Sequence, residues 1–440
     1  MEMELISREF IKPSTPTPSH HRIHPLSFID HIVARNYVPV VYFYTNEGSE
    51  NDDNNQGSKI SMLKKSLSEV LSIYYLLAGR FRDKTSIDCN DQGVLLLVTR
   101  IRSKLSEILH NPINEAILNP LFPDELQWKD MGSSASIVAI QINSFECGGI
   151  AISVCMSHKV GDASALFNFV NDWAIMNRKS SDEEGELLIP SPVLDAGASL
   201  FPHGDLPDLP ETLFMLRNTV CRRVVFEASK IESLKAMVSS HNKVENPSRV
   251  EVVIALIYKR AVSALRLNNN TLLRVAANLR RRMVPPLPDK SIGNWVWSFP
   301  VSCDTGEAEL HDLVSKMREG LSEFCDKNVK NFGDFSFVCE FLKQATSLPK
   351  PKETSSNASN QVKPLAMFFF ASWCRLPTYE VDFGWGKPIW VTSIGSPVKN
   401  SVVLMDTKDG NGIVALVNMD EQDLAIFERD VELLQYASLN

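Results

Sequence analysis

His158 and Asp162 stand four residues apart just after the apolar run Ile150 to Met156, and His158 alone among nine histidines has an aspartate at that spacing. A neutral imidazole at the end of a rigid buried strand is placed to take a proton near neutral pH. A histidine that merely satisfies a local backbone group is the competing reading, and the spacing alone does not separate the two. Asp162 invites a triad, in which a carboxylate orients the imidazole. A helical period beginning at Ala163 favours instead an N-cap, where the charge also suits the helix dipole. Lys159, Val160 and Gly161 read as spacer.

The second singular stretch is Asp382-Phe383-Gly384-Trp385-Gly386, followed by Lys387-Pro388. Gly384 and Gly386 allow backbone angles that other residues resist, and Phe383 and Trp385 can anchor a tight turn. Asp382 is a carboxylate that could do chemistry, but the stretch contains no evident base. A structural clamp, with Asp382 paired to an arginine, is the favoured reading.

Other chemistries lack their signatures. No G-x-S-x-G elbow, G-x-G-x-x-G or G-x-x-x-x-G-K-[ST] occurs, which disfavours serine hydrolases, dinucleotide enzymes and P-loop proteins. No ligand spacing points to a metal; His20, His21 and His24 are neighbours in a proline-rich N-terminal coil. The eight cysteines include no C-x-x-C, and Cys147, Cys155 and Cys339 lie in apolar settings, as free thiols in a reducing compartment would.

The elements that must position these groups follow from hydrophobic period. Ile150 to Met156 is rich in β-branched residues and reads as a strand, and from Ala163 the residues Leu166, Phe169, Val170 and Trp173 share a helical face. Ile137 to Ile142 and Gly149 to Met156 form an antiparallel pair. Val38 to Tyr44 is a strand, Thr45 to Ser58 a polar loop, and Leu63 to Leu77 a helix stopped at Gly79. Ser86 to Cys89 and Val94 to Ile101 are strand-like runs joined by the turn-former Asn90-Asp91-Gln92-Gly93. Ser180 to Pro210 lacks periodicity and is the best linker. Beyond it, Arg222 to Phe226, Leu273 to Leu279, Trp295 to Phe299, Phe368 to Trp373, Ile389 to Thr392, Val402 to Asp406 and Ile413 to Val417 read as strands. Ser248-Arg249-Val250-Glu251 is a capping box opening a helix through Leu265. Leu310 to Phe324 is amphipathic, Lys350 to Gln361 is a polar loop, and Asp420 to Tyr436 is a closing helix.

A chain of 440 residues exceeds one ordinary core, and its 44% hydrophobic and 22% charged content suits two. A formal net charge of -8 argues against nucleic acid and anionic membranes as partners. No apolar run approaches membrane-spanning length, and the N-terminus lacks a signal-peptide core. The expectation is a cytoplasmic protein of two α/β lobes. The boundaries are 1–180 for the first lobe, 181–218 for the crossover and 219–440 for the second.

Taken together, His158-x-x-x-Asp162 and D-F-G-W-G at 382–386 are similar to the two signatures of the plant BAHD acyl-CoA-dependent acyltransferases, in the right order and separation. Further matches are I-K-P-S-T-P-T-P at 11–18, L-A-G-R at 77–80, D-C-N-D-Q-G at 88–93 and F-E-C-G-G at 145–149. Later ones are S-R-V-E at 248–251, N-L-R-R-R-M-V-P-P-L-P at 278–288, S-W-C-R at 372–375 and L-M-D-T at 404–407. The versions present look most like the branch with vinorine synthase and the vindoline- and salutaridinol-type alkaloid O-acetyltransferases. Two departures are Gly161, where relatives often carry Ala, and Leu76, where Pro is common.

The resemblance implies an α/β, two-lobed fold like chloramphenicol acetyltransferase, with a channel between the lobes and a segment near 381–403 returning to the first lobe. It implies an acyl-CoA co-substrate, acetyl-CoA first, with no permanently bound cofactor and no metal. His158 would act as general base on a hydroxyl of a small-molecule acceptor such as an alkaloid. Trp373 is the candidate oxyanion donor, Arg280 the brace for Asp162, and Ser248 heads the region that would contact CoA. A monomer is expected. The alternatives are an acylsugar, terpenoid or amine acceptor, or a non-catalytic member.

Overall fold

The computed structural model describes the chain except residues 1, 34, 47–52, 111–114, 124–125, 127–128, 130–131, 180–190, 198–218, 242, 267–270, 302–307, 333, 335, 338–339, 341–365 and 440. The crossover expected at 181–218, apart from 191–197, and the loop Lys350 to Gln361 lie outside the described residues.

The apolar runs assemble into two large mixed sheets. The first has six strands in the order Met3–Ile11, Val94–Ile101, Val138–Phe145, Ile150–Ser157, Tyr37–Tyr44, Trp390–Thr392. Its central strands are buried on both faces, which is why they read as unbroken apolar runs instead of alternating ones. The second has seven strands in the order Val296–Val301, Thr271–Asn278, Ala366–Ser372, Ser401–Asp406, Ile413–Met419, Val220–Phe226, Ser438–Leu439. Thr271–Asn278, Ala366–Ser372 and Ser401–Asp406 run parallel, so their C-terminal ends point the same way. The last strand of the first sheet comes from late in the chain: Trp390–Thr392 pairs with Val41 to Phe43. Among the described residues no helix is long and apolar enough to cross a membrane.

Asp53–Ile73 and Ala163–Lys179 pack together on the first sheet. Leu166, Phe169, Val170 and Trp173 are fully buried there, each contributing roughly 1.5–3 kcal/mol of apolar burial. The indole N–H of Trp173 bonds Leu63 O at 3.2 Å and Ser66 Oγ at 3.1 Å, fixing the register of one helix on the other.

The structure differs from the sequence reading at several places. The two runs joined by Asn90 to Gly93 are both strands but serve different sheets. Ser86–Asp88 joins a small sheet with Ile23–Pro25 and Arg80–Phe81, while Val94–Ile101 enters the first large sheet. Between them Asp91 accepts bonds from Thr17 N (3.1 Å) and Thr17 Oγ1 (2.5 Å). The helix of Leu63 begins at Asp53, inside the stretch expected as loop, and its α-geometry ends at Ile73. A 3-10 turn, Tyr75–Ala78, follows because Tyr74 leaves the helical region (φ -93°, ψ 46°). Gly79 is not a left-handed stop: a side chain there would put Cβ 2.5 Å from Asp88 O, so glycine is needed for strand approach. The closing helix is two, Glu421–Phe427 and Val431–Tyr436, with Asp430 capping the second through Leu433 N at 2.9 Å.

Candidate active site

The strand Ile150–Ser157 ends one residue before His158, and the helix Ala163–Lys179 starts one residue after Asp162. The backbone of His158 is tied on both sides: its N–H donates to Asn36 O (2.8 Å) and its carbonyl accepts from Asn294 Nδ2 (2.7 Å). The imidazole is not tied. Nδ1 is enclosed with no hydrogen-bond partner, and among the described residues no carboxylate bonds the ring. Nε2, by contrast, is not enclosed, so it is the ring nitrogen open to an incoming group.

The Asp162 carboxylate is spent elsewhere. Arg280 donates to it in a fork, Nη1 to Oδ2 at 2.7 Å and Nη2 to Oδ1 at 3.0 Å, and both side chains are buried. Ala165 N (3.0 Å) and Trp295 N (3.0 Å) also donate to it. Asp162 therefore caps the helix and joins it to the loop before the strand Val296–Val301. Arg280 spends its remaining donors on Ser291 O and Gly293 O. A fork this saturated has nothing left for a substrate.

Three further residues, none read as functional in the sequence, hold the corner. Asp30, buried in the short helix Phe28–Ile32, accepts from Asn294 N (2.7 Å) and Nδ2 (2.9 Å), and from Ser27 N (2.9 Å) and Oγ (2.7 Å). Burial pushes its carboxyl pKa up against these bonds. Asn294 thus links Asp30 to the His158 carbonyl. Lys159 is not a spacer: it is fully buried, and its Nζ donates to His31 O (2.8 Å) and Val33 O (3.4 Å). Gly161 is also fitted to its place, since a Cβ there would lie 2.7 Å from Ala165 Cβ. The Ser27-x-x-Asp30 capping box was the one local pattern that marked any of these residues.

Trp373 lies just beyond the strand Ala366–Ser372, its ring edge-on to Phe167 of the corner helix at 5.5 Å. Among the described residues its indole N–H has no partner, and it is not enclosed. Ser248 Oγ accepts from Glu251 N (3.2 Å) and its N–H donates to Glu251 Oε2 (2.7 Å); Glu251 is paired with Arg318 at 2.8 Å. A carboxylate therefore already sits at that helix N-terminus.

The Asp382 turn is somewhere else. Asp382 Oδ1 accepts from Gly384 N (2.8 Å) and Gly386 N (3.0 Å), and Oδ2 lies 3.9 Å from Arg178. Gly384 and Gly386 have φ of 105° and 98°, which explains both glycines. Phe383 packs edge-on to Trp173 and stacks on Trp385, Tyr44 Oη donates to Val381 O (3.0 Å), and Asn177 donates to Phe383 O (2.7 Å). Asn177 and Arg178 are at the far end of the helix that starts beside Asp162. At 1.5 Å per residue, that is about 20 Å from the His158 corner.

The comparisons with known proteins agree over the whole chain. A family model described as the Transferase family matches residues 1–434. Stemmadenine O-acetyltransferase of Catharanthus roseus is 36% identical, over 98% of this chain and 97% of its own. A 17,18-epoxy-17-hydroxycur-19-ene N-malonyltransferase of Strychnos nux-vomica is 39% identical, over 100% of this chain and 91% of its own. The crystal structure of vinorine synthase superposes with a TM-score of 0.81 at 32% identity, covering 99% of both chains.

Proposed function

The chain belongs to that family, the BAHD acyl-CoA-dependent acyltransferases, and from this premise we propose that it moves an acyl group, acetyl foremost, from acyl-CoA to a hydroxyl of a plant specialised metabolite such as an alkaloid. The observation that carries the reading is the His158 ring, which has no hydrogen-bond partner among the described residues while its backbone is bonded on both sides. In this mechanism Nε2 takes the acceptor O–H proton as the oxygen attacks the thioester carbonyl carbon. The tetrahedral intermediate collapses with cleavage of the C–S bond, and the proton held on His158 passes to the departing CoA thiolate. Trp373 offers its unpartnered indole N–H to the oxyanion. Asp162, Arg280 and Asp382 hold shape, and Ser248 caps a helix instead of touching CoA.

The same reading gives a cytoplasmic monomer with lobes 1–180 and 219–440 and a crossover at 181–218. A second reading, an amine acceptor, is favoured by the Strychnos N-malonyltransferase alone. The test is thiol release from acetyl-CoA across a panel of alkaloid and terpenoid alcohols and matched amines, with products identified by mass spectrometry. An ester product supports the first reading and an amide the second. CoA binding without turnover on any acceptor defeats both.

A further inference from the structure

The second sheet has one face under its helices, with Leu273, Phe368 and Leu404 in that core. The opposite face is divided. Near the strand Val220–Phe226, its residues Val225, Met405, Val414 and Leu416 are buried in the core of the first lobe. Near the strand Thr271–Asn278, the same face is only half-covered: Arg274, Ala276, Ser298, Phe369 and Ala371 are partly exposed and Met367 is exposed. Asn278, at the end of that strand, donates to Ser164 Oγ at 3.2 Å beside Asp162, and Trp373 extends the neighbouring strand. The open half is therefore a mostly apolar wall that leads to the His158 corner.

Arg274 is its one cation among the described residues. Nε donates to Ser298 Oγ (3.0 Å) and Nη2 to Ser298 O (2.7 Å), while Nη1 bonds nothing among the described residues and is not enclosed. Ser298 lies opposite Ala276, so the guanidinium is drawn toward the His158 end of the strand by about two residues, or ~7 Å. Among the described residues no carboxylate bonds it, and burial lowers its pKa. A partly desolvated, anchored cation without a counter-charge is costly unless its anion arrives from outside. We propose that Arg274, held by Ser298, is a subsite for a carboxylate carried by one of the two small substrates. One guanidinium edge suits a carboxylate. A phosphate dianion would want a second cation, and this half of the face has none among the described residues. The carboxylate comes either from a dicarboxylic acyl donor or from the acceptor.

The proposal rests on the acyl-transfer reading for its substrates, and equilibrium binding separates the two. Titration calorimetry compares malonyl-CoA with acetyl-CoA, and 4-(hydroxymethyl)benzoate with benzyl alcohol, on the full chain and on Arg274→Gln and Ser298→Ala. In one pair the carboxylate member is expected to bind tenfold or more tightly. Arg274→Gln should erase that preference, and Ser298→Ala, which keeps the charge but frees it, should reduce it in part. The idea is overturned by wild-type protein with no preference in either pair, or by a preference that survives Arg274→Gln. It is equally overturned if Arg274→Gln weakens malonyl-CoA, acetyl-CoA and free CoA alike, which would assign the charge to CoA phosphate. Selective binding without turnover of either pair would count against acyl transfer and leave the Arg274 subsite standing.

Discussion

The His158 corner and the Asp382 turn are equally conspicuous in the sequence, yet the chain has used them in opposite ways. At the corner, Asp162 and Arg280 bond each other, Asn294 bonds Asp30 and the His158 carbonyl, Lys159 bonds backbone carbonyls, and one imidazole ring has no partner among the described residues. In the turn, the carboxylate of Asp382 is consumed by the turn's own N–H groups. Its enclosed orphan is the Trp385 indole N–H, a donor that cannot titrate near neutral pH. An unpartnered polar atom can serve an incoming substrate only if it is open: His158 Nε2 and the Trp373 N–H are not enclosed, whereas the Trp385 N–H is.

The largest break in this comparison is His158→Ala. Loss of a general base should cut turnover by roughly 10²–10⁴ with little change in melting temperature, read by CoA release and calorimetry. Turnover near wild type would end the assignment. Next comes Arg280→Leu, which strands Asp162 in a buried site. It should cost about 3–5 kcal/mol by denaturant titration, and activity should fall with stability. A stable protein with impaired acceptor binding would instead make Arg280 a substrate contact. Trp373→Phe keeps the ring and removes the N–H. A kcat loss of roughly 100-fold with KM nearly constant is expected of an oxyanion donor, whereas an unchanged kcat reduces Trp373 to packing.

Asp382→Ala should be milder, costing about 1–2 kcal/mol for two charge-assisted bonds while kcat at moderate temperature stays within a few-fold. A kcat collapse in a folded protein would erase the contrast between the regions. A last effect, felt only in acid, separates protonation from unfolding. Burial holds the His24 pKa down at about 4, from an ordinary value of 6.5, with Asp195 acting in the opposite sense. Because the folded-state value is depressed, the unfolded chain binds more protons between these limits. Stability is then complete above pH 6.5 and falls as the pH drops toward 4, by about 2 kcal/mol for this partly exposed ring. His24→Asn should flatten that slope in pH-dependent melting. An unchanged slope would place the acid sensitivity elsewhere.

Much of the fold was legible because strand and helix periods report burial locally. The runs Ile150 to Met156 and Val38 to Tyr44 became central strands, and Ala163–Lys179 became the helix its period announced. Partners were less legible. The turn-former Asn90 to Gly93 was legible, but that the two runs it joins serve different sheets was not. Lys159 looked like filler because a lone lysine carries no pattern, and only the folded chain brings His31 O to its ammonium. Likewise, Gly161 departed from the common alanine for a reason visible only at Ala165 Cβ.

The sequence by itself determined that a histidine would stand at the end of a buried strand and that an aspartate would begin the helix after it. Those facts depend on a few consecutive dihedral angles and on apolar period, both of which act over one or two turns. Only the tertiary structure decided which way the Asp162 carboxylate faces, since its partner lies 118 residues away. It alone brought Asp30 to Asn294 across 264 residues and set Arg274 on Ser298 with no carboxylate bonded to it among the described residues. A charged side chain takes whichever partner the packed sheets bring within about 3 Å, and local sequence carries no record of that.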